Sequence, residues 1–289
     1  MIYLDHFGLR EAPFALTPDT DFFFDHAGAQ SVLNTVLVAL RSGEGFVKVT
    51  GEVGCGKTLL CRRLLQQLHG NSVTAYVPNP RLRPVELLAA IGAELGLALD
   101  DLQPGAATRC LQTALLHHAA AGRRVVVLID EAQAAPLRTV EALRLLSNLE
   151  TEKRKLLQIV LVGQPELDRK LADPSIRQLR QRIAFAEHMA PLDTREVPAY
   201  LEHRLDVAGA VRARGLIDAD AVYALAQAGS GVPRVLNQLA HKALMLAYGQ
   251  GAPRVTRAHV RAAREDTPAA AGLPLRRWLH RFTVQQRFA

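Results

Sequence analysis

Gly51-Glu52-Val53-Gly54-Cys55-Gly56-Lys57-Thr58 fits the pattern G-x-x-x-x-G-K-S/T, a glycine-rich turn that wraps nucleotide phosphates. Gly51, Gly54 and Gly56 reach backbone angles closed to residues with a Cβ, so successive N–H groups can turn inward around an anion. Lys57 supplies a cation for the β- and γ-phosphates, and the Thr58 hydroxyl is a hard oxygen ligand for Mg²⁺. The flanks agree with the loop. Phe46–Thr50 reads as a short strand entering it, and Leu59–Leu68 leaves it with apolar residues at helical spacing. The helix therefore points its positive end at the phosphates. The nucleotide-contacting set is Gly51, Glu52, Val53, Gly54, Cys55, Gly56, Lys57, Thr58 and Leu59. Cys55 within the loop reads either as a redox-active thiol or as a small filler.

Beyond the loop, apolar runs at Val73–Val77, Val125–Ile129 and Leu156–Val162 alternate with helical patterns at 31–40, 59–68, 84–96, 105–121 and 139–149. Continuous apolar runs of this kind are strands buried on both faces, and the alternation predicts a parallel sheet with helices on both sides. Asp130 and Glu131 close the most hydrophobic strand, at the sheet edge where open α/β folds bind ligands. Asp130 is suited to hold Mg²⁺ together with Thr58, and Glu131 to orient and deprotonate a water attacking the γ-phosphate; the plainer reading is a helix cap. Gln164, at the end of the next strand, reads as a γ-phosphate sensor or as a turn residue. Asn79, after Val77, is a candidate for holding Glu131 in an inactive rotamer until a partner engages.

Arginines complete the set. Arg182 and Arg180, with Arg177 as a further candidate, can serve as a finger reaching a neighbouring subunit's γ-phosphate, because guanidinium is planar, forked and always charged. Solvated helix charges are the alternative for each. Arg234, in Gly231-Val232-Pro233-Arg234, opens a helix with proline in its first turn and is read as a lid cation facing the nucleotide.

The chain has 289 residues, 49% hydrophobic, with a formal net charge of +7. No apolar run is long enough to cross a bilayer, and the start lacks a secretion signal. Three sparse cysteines argue against a disulfide framework, so a reducing, cytoplasmic setting is expected. Six of the fifteen aromatic residues fall within residues 1–24. That stretch reads as a flap closing the sheet, with a shelf for the purine ring as the functional variant. From about Pro191 only helical periods remain, at 194–208, 218–228, 232–248 and 256–265. The expected domains are therefore 1–189 (nucleotide-binding), 190–266 (all-helical) and 267–289 (a basic, flexible tail). In that tail Arg276, Arg277 and Arg281 flank Trp278 and Phe282, which suits a membrane surface or a docking partner.

The ordered set Gly51–Thr58, Val127–Glu131, Gln164, Arg177–Arg182 and Gly231–Arg234 resembles an AAA+ ATPase. Local phrases narrow the likeness. His6-Phe7-Gly8-Leu9, Ala12-Pro13-Phe14, Leu16-Thr17-Pro18-Asp19 and Phe22-Phe23-Phe24 look like the opening of the general secretion pathway protein A (ExeA) family. So do Gly45–Thr58, Gln158–Leu167 and Arg177–Ile183. The resemblance covers roughly residues 1–265, with its greatest likeness to the branch serving mannose-sensitive haemagglutinin (type IV) pilus biogenesis. It implies a P-loop fold with a parallel five-stranded sheet sandwiched by helices, followed by an all-α lid. It implies ATP and Mg²⁺ as cofactors, nucleotide-dependent self-association, and work with pilus or secretion platform proteins. Relatives often carry a hydroxyl residue at position 55, and larger ones continue into a membrane helix and a peptidoglycan-binding module, neither of which is expected here. Transposition ATPases share the same core, so an alternative is a DNA-bound AAA+ regulator whose basic C-terminal third tracks phosphates.

Overall fold

The computed structural model describes residues 1–99, 101–150, 155–210 and 215–271, which divide into two compact units. One is residues 25–190; the other joins residues 1–24 to residues 191 onward.

The α/β unit is built on five parallel strands: β1 (Phe46–Gly51), β2 (Ser72–Val77), β3 (Arg124–Ile129), β4 (Leu157–Gly163) and β5 (Ile183–Met189). Their order across the sheet is β2-β3-β4-β1-β5. β3 and β4 occupy interior positions and are almost wholly buried, which is why their sequences run apolar without alternation. Strand β5 was not legible as a strand. Its burial alternates because it is an edge strand, so alanine, glutamate and histidine interrupt the apolar residues.

Between the strands run α2 (Ala27–Arg41), α3 (Lys57–Leu68), α4 (Pro84–Glu94), α5 (Pro104–Ala120), α6 (Leu137–Leu146), α7 (Glu166–Leu171) and α8 (Arg177–Arg182). Leu87, Ile91, Leu111, Leu115 and Leu143 of α4, α5 and α6 share a core with Val125, Val127, Ile159 and Leu161. The alternate residues Val126, Leu128, Val160 and Val162 are equally buried, and α2 and α3 pack against the sheet as well. A polar residue interrupts this core. Gln158, 3% exposed, donates from Nε2 to the Leu40 and Glu44 carbonyls at 2.9 Å each, satisfying the end of α2.

Register fixes where the strands end. Thr50 pairs with Gly163 and Ile129 with Leu161, so the phosphate loop, Asp130 and Gln164 all emerge at the carboxyl edge of the sheet.

The helical unit comprises α1 (Leu4–Phe7), α9 (Val197–Val207), α10 (Ala219–Gly229), α11 (Pro233–Gly249), α12 (Arg257–Glu265) and α13 (Pro268–Ala271). The N-terminal stretch is part of it, which corrects two expectations: the 1–189 domain and the flap over the sheet. Tyr3, Leu9, Phe14 and Phe22 are buried among Leu201, Leu205, Leu239 and Leu244. Arg204 pins the segment. Its side chain is 4% exposed, donates to Pro13 O (2.5 Å) and Ala15 O (3.2 Å), and lies 4.2 Å over the Phe22 ring. Arg10 N donates to Ala208 O at 2.8 Å, and the Tyr3 hydroxyl is hydrogen-bonded to His241 Nδ1 at 2.9 Å.

The tail boundary at 267 is also corrected. Thr267 donates to Ala263 O at 2.7 Å and Ala270 is buried, so α13 completes the helical core. Arg276, Arg277, Trp278, Arg281 and Phe282 lie outside the described residues.

Candidate functional site

The phosphate loop joins β1 to α3. Gly54 and Gly56 have φ of +83° and +93°, the left-handed region that glycine enters without penalty. At Gly51 the constraint is space: a Cβ there would sit 2.7 Å from Met189 O. The end of β5 thus presses directly on the loop. Lys57 opens α3 and is 5% exposed; its ammonium donates to Gly51 O (2.8 Å) and Glu52 O (2.9 Å), holding the cation at the mouth of the loop. Glu52 and Val53 are exposed, Thr58 and Leu59 are half-buried, and Cys55 is buried. Burial pushes the Cys55 thiol up to about 11, so almost no thiolate exists near neutrality and the small-filler reading applies.

Asp130 follows β3 and is 2% exposed. Three donors converge on its carboxylate: Thr58 Oγ1 (2.8 Å) and Tyr76 Oη (3.2 Å) to Oδ2, and Glu131 N (2.8 Å) to Oδ1. The Tyr76 phenol is shifted upward by its own burial first and by the Asp130 charge second, so it stays a proton donor.

Glu131 has φ +51° and ψ +36°, a left-handed conformation that costs a residue with a Cβ roughly 1 kcal/mol. The turn swings the next residues, a 3-10 turn over Ala132–Ala134, back toward β4. The Glu131 carboxylate then accepts from two amides, Gln133 Nε2 and Gln164 Nε2, the latter at 3.1 Å. Gln133 Oε1 accepts in turn from Gln164 N at 3.0 Å. Lys170 of α7 donates to the Gln133 and Ala135 carbonyls.

Sequence reasoning passed over Gln133 and Tyr76. It gave the restraint of Glu131 to Asn79 instead. Asn79 is exposed and its side chain accepts from Arg81 N at 3.2 Å, while Gln133 and Gln164 hold the carboxylate. The available signal was the Asp130-Glu131-Ala132-Gln133 spacing, which puts an amide within a tight turn of the acid.

The structure therefore brings together the loop, Lys57, Thr58, Asp130, Glu131 and Gln164. The α8 arginines are placed elsewhere. Arg177, Arg180 and Arg182 are exposed on α8, and Arg182 Nη1 donates to Ser147 Oγ at 2.9 Å. Ile183, next to Arg182, pairs with Phe46 at the start of β1. The whole length of a strand, roughly 20 Å at about 3.3 Å per residue, separates that end from this chain's own phosphate loop. Arg234 is exposed in the first turn of α11, within the helical unit. Its Gly231 is fixed locally: φ is +73°, and a Cβ would meet Leu192 O at 2.0 Å.

The donor set fits a magnesium nucleotide. The loop glycines leave a cradle that side chains would fill, and Thr58 and Asp130 offer hard oxygens beside it. Among the described residues no cluster of three or more His, Cys, Asp or Glu could hold a metal by itself.

Residues 40–171 match the AAA domain family. Over 255 residues, 88% of this chain, the sequence is 41% identical to general secretion pathway protein A of Aeromonas hydrophila. The chain is an AAA-domain protein. It spans 46% of the length of that relative. Solved structures carry the same fold. Cdc6p of Pyrobaculum aerophilum superposes with a TM-score of 0.68 at 16% identity, covering 91% of this chain and 74% of that one. The Aeropyrum pernix ORC2 protein gives 0.62 at 18% identity, covering 92% and 74%. RuvB of Thermotoga maritima, a Holliday junction branch migration motor, gives 0.58 at 19% identity, covering 88% and 73%. These likenesses carry the architecture, a parallel five-stranded P-loop sheet with a helical C-terminal region.

Proposed function

We propose that this AAA-domain protein binds ATP with Mg²⁺ and hydrolyses the γ-phosphoanhydride bond. One observation carries the reading: a carboxylate oriented by two amides, Glu131, stands at the same sheet edge as the Lys57 loop and the Thr58–Asp130 pair. Lys57 and the loop N–H groups bind the phosphates. Thr58 and Asp130 hold the Mg²⁺, which when bound neutralises phosphate charge. Glu131 orients a water and accepts its proton at a carboxylate oxygen as the water oxygen attacks. Gln164, already bonded to Glu131, reports the γ-phosphate to that base.

Arg182 or Arg180 is proposed to act on a neighbouring copy's nucleotide, since strand length separates α8 from the loop of its own chain. Hydrolysis would then require nucleotide-dependent self-association. Arg234 is proposed as the residue through which the helical unit responds to nucleotide.

The likeness to general secretion pathway protein A supports service to a secretion or type IV (mannose-sensitive haemagglutinin-like) pilus machine on the cytoplasmic side of the membrane, with platform proteins as clients. No helix among the described residues is long and apolar enough to cross a membrane. The basic tail beyond residue 271 is proposed as a membrane-surface contact, read by liposome co-sedimentation against a chain ending at Ala271.

The test is paired. Lys57→Ala is expected to abolish nucleotide binding, and Glu131→Gln to retain it while lowering turnover by about 10³-fold. Near wild-type turnover in Glu131→Gln removes the assignment of the base. The same assay, run with duplex DNA at two salt concentrations, separates the DNA-bound regulator, for which strong salt-sensitive stimulation is the signature.

A further inference from the structure

We propose that Gln133 is a positioning residue that clamps the Glu131 base to the end of β4, fixing its distance from Gln164. The inference rests on the hydrolytic reading above and gives one of its two amides, Gln133, a role of its own. Both ends of the Gln133 amide are committed. Nε2 donates to Glu131 Oε2, and Oε1 accepts from Gln164 N at 3.0 Å. Gln164 Nε2 returns to the same Glu131 oxygen at 3.1 Å. The carboxylate, the Gln133 amide and Gln164 thus form a closed ring linking the loop after β3 to the end of β4.

Neighbouring groups hold the clamp in place. Lys170 of α7 donates to the Gln133 and Ala135 carbonyls, so the backbone carrying the amide is tied to the helix that follows β4. Gly163 leaves room beneath it: a Cβ there would sit 2.7 Å from Gln133 Oε1 and push the amide out of place. The left-handed turn at Glu131 is what aims residue 133 at β4 rather than away from it.

The consequence is chemical. Glu131 and Gln164 are to act on one water and one phosphate, and a base displaced by about 1 Å can lose as much as 10²-fold in rate. A single amide that bonds the side chain of one and the backbone of the other sets their separation. It also gives one carboxylate oxygen two donors, which fixes the orientation of the Glu131 side chain.

The experiment uses the full chain. Gln133→Ala is expected to lower kcat by about 10- to 100-fold, with KM and nucleotide affinity within about threefold and the thermal midpoint near that of wild type. Gln133→Glu keeps the shape but sets a second carboxylate against Glu131. It is expected to lower kcat at least as far as Gln133→Ala does while leaving KM unmoved, a split that a merely structural residue would not give. In the Glu131→Gln background, Gln133→Ala is expected to add no further loss. Hydrogen exchange gives a readout independent of turnover: the Gln164 amide is expected to be protected in wild type and released in Gln133→Ala.

Wild-type kcat in Gln133→Ala or in Gln133→Glu, additive loss in the double variant, or unchanged Gln164 exchange each overturns the clamp. A wild-type protein without turnover sinks the hydrolytic reading instead, and Gln164 exchange then decides the clamp alone.

Discussion

Replacing Arg204 with methionine tests whether residues 1–24 belong energetically to the helical unit. Arg204 is 4% exposed and makes two hydrogen bonds from its guanidinium, to Pro13 O and Ala15 O, beneath the Phe22 ring. Methionine keeps most of the apolar stem and removes all three interactions. Each carbonyl left without a donor costs about 1–3 kcal/mol. The lost cation–π contact adds about 1 kcal/mol. Relief of the buried charge returns part of that sum, since burial already lowers the pKa of the guanidinium. A net loss of about 3 kcal/mol follows. With a urea slope of about 2 kcal/mol/M for a unit of this size, the midpoint falls by about 1.5 M.

The assay is urea unfolding followed by hydrogen exchange resolved along the chain. Two units can unfold separately, so transitions are assigned by segment. Residues 1–24 and 197–265 are expected to lose protection together in Arg204→Met. Residues 46–51 and 124–129 are expected to hold. Arg204→Lys should recover less than half of the loss, because one ammonium lacks the fork that spans two carbonyls. A midpoint shift below about 0.5 M, or unchanged exchange at residues 1–24, refutes the reasoning.

Gly51→Ala forces a Cβ to within 2.7 Å of Met189 O. It is expected to weaken nucleotide affinity by about tenfold or more while leaving α9–α12 protected, and wild-type affinity contradicts it. Tyr76→Phe removes a hydroxyl donor from Asp130; the apparent Mg²⁺ requirement should rise by about tenfold, and an unchanged titration excludes the tie. Cys55, its thiol pushed up to about 11, should resist iodoacetamide at pH 8, where about one thiol in a thousand is ionised. Because the folded pKa lies above the ordinary value of 9.0, the unfolded chain loses its proton first. Stability of the α/β unit therefore falls as pH rises from about 9 through about 11, an effect that Cys55→Ala should reduce in an unfolding series across that range. Brisk labelling at pH 8 contradicts the burial.

Several features were legible because one physical cause writes them locally. The glycine spacing from Gly51 to Gly56 follows from backbone angles, and the apolar run of β3 from burial on both faces. Residues placed at strand ends, Asp130 and Gln164, could be ordered from the chain alone because parallel strands share one carboxyl edge. What escaped depends on long-range contact. Phe14 and Phe22 look the same in sequence whether they cover a sheet or a helical bundle; the deciding partner, Arg204, lies far away along the chain. The β5 strand lacks the apolar signature because one of its edges is unpaired. Gln133 was passed over for another reason. Its role depends on the left-handed turn at Glu131, which a non-glycine residue does not announce.

The helical unit is assembled from both sides of an insertion, residues 25–190. During synthesis, residues 1–24 leave the ribosome before the inserted unit, yet Arg204 and the α9–α12 core that receive Tyr3, Phe14 and Phe22 emerge only after it. At about 5–20 residues per second the wait is roughly ten to fifty seconds. The inserted sheet can close meanwhile, whereas the leading aromatic segment must stay uncommitted in the presence of the cell's chaperones. Transplanting residues 1–24 behind Ala271 would remove that delay and leave every mature contact partner in the same polypeptide.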